Sequence, residues 1–329
     1  MSRDAPRVTV VIPVYNSAPT LERAVTSVLG QTLGSLELII VNDGSRDRSL
    51  ELARGFAAAD PRVRVIDLPE NRGKAHAMNR AIAQAAGAWI AMLDADDWYE
   101  PERLEKLVTA AEQHGVAMAA DNQWFHDAGA GTVVGTAFPA DSGDRELSSG
   151  VFVAGTDPYA DFNYGMLKPI IRAEFIRASG LAYRENVRLS EDFLYLVEFF
   201  AAGGRGILLA SPCYNWTQPF GSLSRTWTTT GAGSWRYDFQ SALAGNADVL
   251  RSLHDKNEKL LASLLVTHAR ACRRLHHLNA INRARADGAP LPHLLSAIAR
   301  HPSIWLEVAR RALRAGRRHL TRAHPTPAA

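Results

Sequence analysis

Three carboxylates fall within four positions at Asp94-Ala95-Asp96-Asp97, directly behind the apolar run Trp89–Leu93. Acidic side chains packed so closely repel one another unless a cation stands between them. Hard divalent cations prefer carboxylate oxygens and commonly hold substrate phosphates as well. The competing reading is a solvated acidic turn that caps a helix starting near Pro101. Placement behind a buried run, together with a second polar cluster at Asn42-Asp43-Gly44-Ser45, favours a metal–phosphate site. A further polar turn, Pro13-Val14-Tyr15-Asn16, closes the first apolar run, and no G-x-G-x-x-G follows it, which argues against a nicotinamide enzyme. Glu191 and Asp192 precede a helical pattern at Phe193, Val197 and Phe200, where they read by themselves as acidic residues favoured by the free amides and dipole of a helix N-terminus. His268, His276 and His277 have no acidic partner in sequence and do not read as a metal set.

These residues need a scaffold that brings them together. Val8–Val14 is a β-branched run of the kind expected for a strand buried on both faces, and Leu38–Val41, Val63–Leu68 and Trp89–Leu93 are similar. Between them, Leu21, Ala24, Val25, Val28 and Leu29 recur at helical spacing, as do Met78, Ile82 and Ala85. After Pro101, Leu104, Leu107, Val108 and Ala111 repeat the pattern. This alternation predicts an α/β fold, with a mainly parallel central sheet and flanking helices. In such sheets ligands bind beyond the carboxyl ends of the strands, where the polar clusters stand. The stretch from Trp124 to Leu189 is rich in Gly, Asp and Ser and shows only short apolar fragments, Thr132–Phe138 and Met166–Ile171; Ile207–Ala210 reads as one more strand. Beyond Trp235 the pattern is almost wholly helical, so we divide the chain into residues 1–234 and a helical C-terminal region, 235–329.

The 329 residues are 47% apolar and 22% charged, which excludes a disordered or collagen-like chain. No apolar run reaches the ~18 residues of a spanning helix. A polar N-terminus with Pro13 inside the first apolar run argues against a secretory signal. Cys213 and Cys272 cannot form a disulfide framework, so a reducing, cytoplasmic setting is expected. The net charge of +3 is uneven: from Leu291 onward seven arginines face one glutamate, leaving the preceding residues at −3. Between His293 and Arg322, Leu294, Leu295, Ile298, Ile304, Trp305, Val308 and Leu313 fall largely on one helical face. That pattern predicts a helix lying on an anionic membrane surface, and hence a peripheral place on the inner face of the plasma membrane. Packing on the body of the protein, or on a second copy in a homo-oligomer, is the alternative. The charge pattern alone leaves nucleic acid open as well, a partner that only the chemistry of the site sets aside.

The segments VTVVIPVYN, ELIIVNDGSRD, ENRGKAHAMNRAI and IAMLDADDWYEPERL, in this order and spacing, resemble glycosyltransferase family 2, the inverting enzymes of GT-A fold. The likeness is strong from Val8 to Leu107 and returns at Leu189-Ser190-Glu191-Asp192-Phe193, which resembles the family's acidic catalytic motif. It implies a nucleotide-sugar pocket at Pro13, Tyr15 and Asn16, with Tyr15 beside uracil and Asp43 accepting from the base ring. Asn42 stands where the family more usually has a second Asp. Asn71, Arg72 and Lys74 are implied near the base and diphosphate. Asp94 and Ala95 are implied at the ribose, Asp94 directly or through a metal-bound water, and Asp96 on the divalent cation (Mn²⁺ or Mg²⁺). Asp192 becomes the general base and Glu191 an acceptor contact. Lys168 and Arg172 are weaker acceptor candidates, with a solvated surface role as the alternative. Ser222-Leu223-Ser224-Arg225 is a candidate to close over the diphosphate or acceptor.

The likeness therefore implies metal-dependent, inverting transfer of a hexose from a UDP-sugar to a saccharide or lipid-linked saccharide, as in succinoglycan-type exopolysaccharide synthesis. The missing Gln-x-x-Arg-Trp motif implies single-residue transfer. A catalytically silent nucleotide-sugar-binding scaffold and a nucleotidyltransferase are the competing readings.

Overall fold

The computed structural model describes residues 5–157, 160, 162–218, 238–255 and 258–288, with isolated positions 290, 292–293, 296 and 299. Along the first part of the chain β1 (Val8–Val14), α1 (Leu21–Leu29), β2 (Leu36–Asp43), α2 (Ser49–Ala59), β3 (Val63–Leu68), α3 (Lys74–Ile82) and β4 (Trp89–Met92) alternate. There follow β5 (Trp98–Tyr99), α4 (Arg103–Gln113), β6 (Met118–Asp127), β7 (Val133–Thr136), β8 (Arg145–Leu147) and α5 (Ser149–Ala154). The rest comprises β9 (Ile170–Arg172), α6 (Ala173–Ser179), α7 (Glu191–Ala201), β10 (Gly206–Gln218), α8 (Phe239–Asp255) and α9 (Lys259–Ala286).

One sheet carries the order β3-β2-β1-β4-β9-β6-β10-β5, with β7 on β6 and β8 on β10. The run from β3 to β4 is parallel, as the alternation predicts. The far half is mixed: β9 is antiparallel to both β4 and β6, while β6 and β10 are parallel. The apolar fragments of the middle region supply β7 and β9. Alternate side chains of a strand point to opposite faces. Val8, Val10, Ile12 and Val14 accordingly join the core under α1 and α4, with Leu21, Val25, Leu104 and Leu107. Val11, Ile39 and Val41 join the opposite core with Met78 of α3 and Phe193, Val197 and Phe200 of α7.

β6 departs from the sequence expectation, which placed no strand there. Its centre, Asp121-Asn122-Gln123, is polar and fully buried. Each group needs an internal partner in such a place. Asp121 takes a bidentate pair from Arg103 at 2.7 and 2.9 Å, and Asn122 Nδ2 donates to the carbonyls of Phe138 and Ala210 at 2.7 and 3.0 Å. The continuous helical pattern after Tyr237 resolves into α8 and α9. Val249 and Leu253 of α8, with Leu261 and Leu265 of α9, complete the same core as Phe193 and Phe200. Among the described residues no helix is long and apolar enough to cross a membrane. Cys213 and Cys272 are buried and unbridged.

Candidate active site

The carboxyl ends of β1, β2 and β4 and the N-termini of α3 and α7 converge on one cleft edge. After β1, Asn16 adopts φ 51° and its side-chain oxygen accepts from the Arg46 amide at 2.8 Å, while its own amide donates to Ser45 Oγ at 3.1 Å. After β2, the turn at Gly44 has φ 67°, and a Cβ there would meet the backbone of Glu70 and Asn71 at 2.6 Å. Only glycine allows both the left-handed turn and that approach. Tyr15, Asn42, Ser45, Asp67, Glu70 and Asn71 line the resulting pocket, with Tyr15 44% exposed. Pro13 sits half-buried below it.

Asp43 is 1% exposed, and its two oxygens accept the backbone amides of Arg72 (2.9 Å) and Gly73 (2.7 Å). It thus ties the β3–α3 loop to the end of β2. Asn42 donates to Asp67 Oδ1 at 2.8 Å on the neighbouring strand, where it is the direct register partner. An Asp at position 42 would place two carboxylates together, which accounts for the departure from the more usual Asp-Asp pair. Asn71 and Arg72 are exposed beside the pocket; Arg72 reaches Glu185 at 3.4 Å. Lys74, at the start of α3, turns inward.

Lys74 Nζ lies 2.7 Å from Asp94 Oδ1 and 2.8 Å from Asp192 Oδ2. Lys168 Nζ lies 2.8 Å from Asp94 Oδ2 and 2.7 Å from Asp192 Oδ2. Two ammoniums and two carboxylates thus alternate in a closed ring. Burial alone would push both carboxyls up, but Lys168 and Lys74 outweigh it and hold Asp94 and Asp192 below the usual carboxylate range. Burial would likewise lower Lys74, yet the charges of Asp192 and Asp94 hold it well above its ordinary value. Asp192 is delivered by Ser190, a non-glycine residue at φ 67° that precedes α7. Such a conformation is costly and persists where its surroundings enforce it. Glu191 beside it is pushed up by burial and by the charge of Asp192.

Asp96 has a different environment. Its backbone carbonyl accepts from Arg23 (2.7 Å) and from Thr217 Oγ1 (2.7 Å), fixing the turn from below. Its carboxylate makes no hydrogen bond or ion pair with another described side chain. Burial and then the charge of Asp94 push its carboxyl up. Asp97, which the sequence left between metal ligation and helix capping, is instead a brace. Its oxygens accept from Tyr214 OH (2.7 Å) and the Thr217 amide (2.9 Å), and burial with the Asp96 and Asp94 charges drives it well above the usual range. Ala95 is buried between them. A carboxylate with no partner among the described side chains, beside a second, suits a hard cation that completes its shell with water and phosphate oxygens. Asp96 and Asp94 are the residues that could hold it, Asp94 with both oxygens already serving lysines; among the described residues no group of three or more protein ligands forms.

The sequence reading therefore gathers Asp94, Asp96, Lys74, Glu191 and Asp192 at one place, but it undervalues Lys168. That side chain is 6% exposed, not a surface group, and the available signal was a lone Lys inside the apolar fragment Met166–Ile171. The supports from Tyr214, Thr217 and Arg23 carry no sequence pattern. Arg172 lies over the Trp89 ring at 4.3 Å, away from this ring of charges. Ser222–Arg225 lies outside the described residues. His268 bonds Asn246, and among the described residues no cluster of metal-binding side chains forms around it.

Residues 9–142 match the family model "Glycosyl transferase family 2". Succinoglycan biosynthesis protein ExoO of Rhizobium meliloti is 34% identical over 231 residues, 67% of this chain and 63% of that protein. ExoU of the same organism is 35% identical over 211 residues, 63% of this chain and 60% of that protein. The chain thus spans less than two thirds of the length of these relatives. Among solved structures, S. aureus TarS 1-349 in complex with UDP-GlcNAc superposes with a TM-score of 0.63 at 16% identity, over 94% of this chain and 92% of that one. Mannosyltransferase PcManGT from Pyrobaculum calidifontis, in complex with GDP-Man and Mn2+, gives a TM-score of 0.55 at 19% identity, over 94% of this chain and 83% of that one. The fold is similar to that of GT-A glycosyltransferases, and the chain carries a glycosyltransferase family 2 domain over residues 9–142.

Proposed function

We propose that this protein is an inverting, metal-dependent glycosyltransferase. It would move a hexose from a UDP-sugar to a hydroxyl of a saccharide or lipid-linked saccharide acceptor in surface polysaccharide synthesis. The observation that carries the reading is the convergence of Asp94 and Asp96, the latter with no partner among the described side chains, at a strand end with Asp192 at the start of α7, beside the pocket of Tyr15. The relatives named for succinoglycan biosynthesis support the pathway class, and the neighbours with UDP-GlcNAc and with GDP-Man and Mn2+ support a nucleotide-sugar donor and a cation. Residues 1–234 supply the chemistry in this reading, and α8 and α9 of the region 235–329 pack on them through the core around Phe193 and Phe200.

A divalent cation supplies, when bound, charge stabilisation for the departing nucleoside diphosphate. The remaining work falls to the chain. Tyr15, Asn16 and Pro13 bind the base; Asp43 shapes the loop at Asn71 and Arg72 that closes over it. Lys74 stands one side chain from both Asp94 and Asp192, within reach of the diphosphate. Asp192 removes the acceptor proton as the hydroxyl attacks the anomeric carbon from the face opposite the leaving group, which inverts the configuration. Glu191 orients the acceptor.

A panel of UDP- and GDP-sugars with Mn²⁺, read by release of UDP or GDP, tests the reading. Asp192→Asn should keep UDP affinity near wild type and lower turnover by at least the ~10²-fold typical of a lost general base. Release of diphosphate in place of UDP would identify a nucleotidyltransferase, and binding without any turnover a silent scaffold.

A further inference from the structure

Lys168 stands at the centre of the charge ring, and the fold goes to some length to hold it there. It precedes Pro169, whose ring keeps the Lys168 backbone extended. Its carbonyl accepts from Arg103 at 2.5 Å, and Arg103 is itself fully buried, paired with Asp121 and laid over the Tyr99 ring at 4.2 Å. Backbone and side chain are therefore both fixed. The ammonium is spent on Asp94 and Asp192, which leaves it unsuited to the acceptor contact considered from the sequence.

The two oxygens of Asp192 are not equivalent. Oδ2 takes both Lys74 and Lys168, whereas Oδ1 is buried and has no hydrogen-bond partner among the described residues. A buried carboxylate oxygen without a donor carries a desolvation cost that an incoming hydroxyl would relieve. Both lysines on one oxygen also hold the carboxylate plane, so the bare oxygen has a defined direction.

We propose that Lys168 is the positioning residue of the general base: it anchors Asp192 by Oδ2 and leaves Oδ1 as the oxygen that takes the acceptor proton. In the step, the hydroxyl proton passes to Oδ1 and the oxygen forms its bond to the anomeric carbon. The bond from that carbon to the diphosphate oxygen breaks, and its electron pair leaves with the nucleoside diphosphate. The inference rests on the glycosyltransferase reading above and deepens it.

The test compares Lys168→Met and Lys168→Arg, each alone and with Asp192→Asn. UDP–Mn²⁺ binding is followed by calorimetry, and UDP release from UDP-glucose and UDP-N-acetylglucosamine by turnover. Lys168→Met should lower kcat by at least ~10-fold, with donor KM and UDP affinity within ~3-fold of wild type, and Lys168→Arg should recover most of the loss. In the Asp192→Asn background, Lys168→Met should cost less than ~2-fold, because a residue that acts only through Asp192 has nothing left to position. That double variant removes opposite charges together, so it decides the matter even if Lys168→Met alone does not fold. Losses that multiply between the two sites, or a raised donor KM at unchanged kcat, would overturn the inference while the wild type still binds UDP and turns over. A wild type that neither binds UDP with Mn²⁺ nor releases UDP would overturn the glycosyltransferase reading and this inference with it.

Discussion

Within the acidic cluster the carboxylates differ in their partners: Asp94 and Asp192 share two lysines, Asp97 has a tyrosine hydroxyl and an amide, and Asp96 has none of these among the described residues. A cation arriving at Asp96 competes with a proton, and burial beside Asp94 raises the proton's hold. Below the raised pKa the site is protonated and the cation must displace a proton; above it the carboxylate is free. In the proposed reading, Mn²⁺-dependent UDP affinity should therefore increase as pH rises through the raised Asp96 pKa, by up to tenfold per unit while one proton is displaced. Asp96→Ala should remove most of that affinity together with its pH dependence, at unchanged thermal stability, and calorimetry at several pH values measures both. An unaltered affinity would take Asp96 out of the cation site. Asp192 stood out only through the resemblance at Leu189–Phe193, whereas Asp94 and Asp96 were legible in sequence because their type and their place behind a strand run carry the signal. Lys168 was not, since its partners lie 24 and 74 residues away and nothing in local spacing links them.

At the level of elements, β1, β2 and β4 were legible because parallel strands covered on both faces are largely apolar, and β3, at the sheet edge, by its β-branched Val63, Val65 and Ile66. β6 was not, because its polar centre is satisfied only by tertiary partners: Arg103 from α4, and carbonyls from the approach to β8 and from β10. The Arg103–Asp121 pair ties β6 to its neighbours in the far half of the sheet, since the same guanidinium also lies 5.1 Å from the ring centroid of Tyr214 in β10 and holds the Lys168 carbonyl before β9. Breaking one side of such a pair strands the other charge in the core. Arg103→Met should thus cost about 3–5 kcal/mol in urea unfolding, and combining it with Asp121→Leu should recover a large part of that loss. If Arg103→Met costs no more than a typical surface substitution, the pair contributes little to holding β6.

Over the whole molecule, α8 and α9 share one core with α7, across the division expected at residue 234. Gly245 lets α8 close against Val187 and Leu194, Ser241 accepts the Arg188 amide at 3.0 Å, and the His268 ring lies 4.2 Å from that of Phe193, the residue next to Asp192. Burial drops the His268 pKa to about 4, so this contact is neutral at physiological pH. A chain ending at 234 would expose the face of α7 that these helices cover, and it should lose cooperative unfolding. A chain ending at 292 keeps α8 and α9 whole. The stretch from 293 to 322, which lies outside the described residues except at 293, 296 and 299, carries the sequence pattern of a surface-bound helix and seven arginines. Anionic lipid contributes about 1 kcal/mol for each basic residue near the surface. The shorter chain should therefore unfold within ~2 °C of the full protein and bind UDP with Mn²⁺ as tightly, yet fail to sediment with phosphatidylserine vesicles at low salt. A full-length protein that ignores such vesicles would reject the membrane role. A drop in unfolding temperature on removal of residues 293–329 would show instead that the apolar face of the tail packs on the body of the protein.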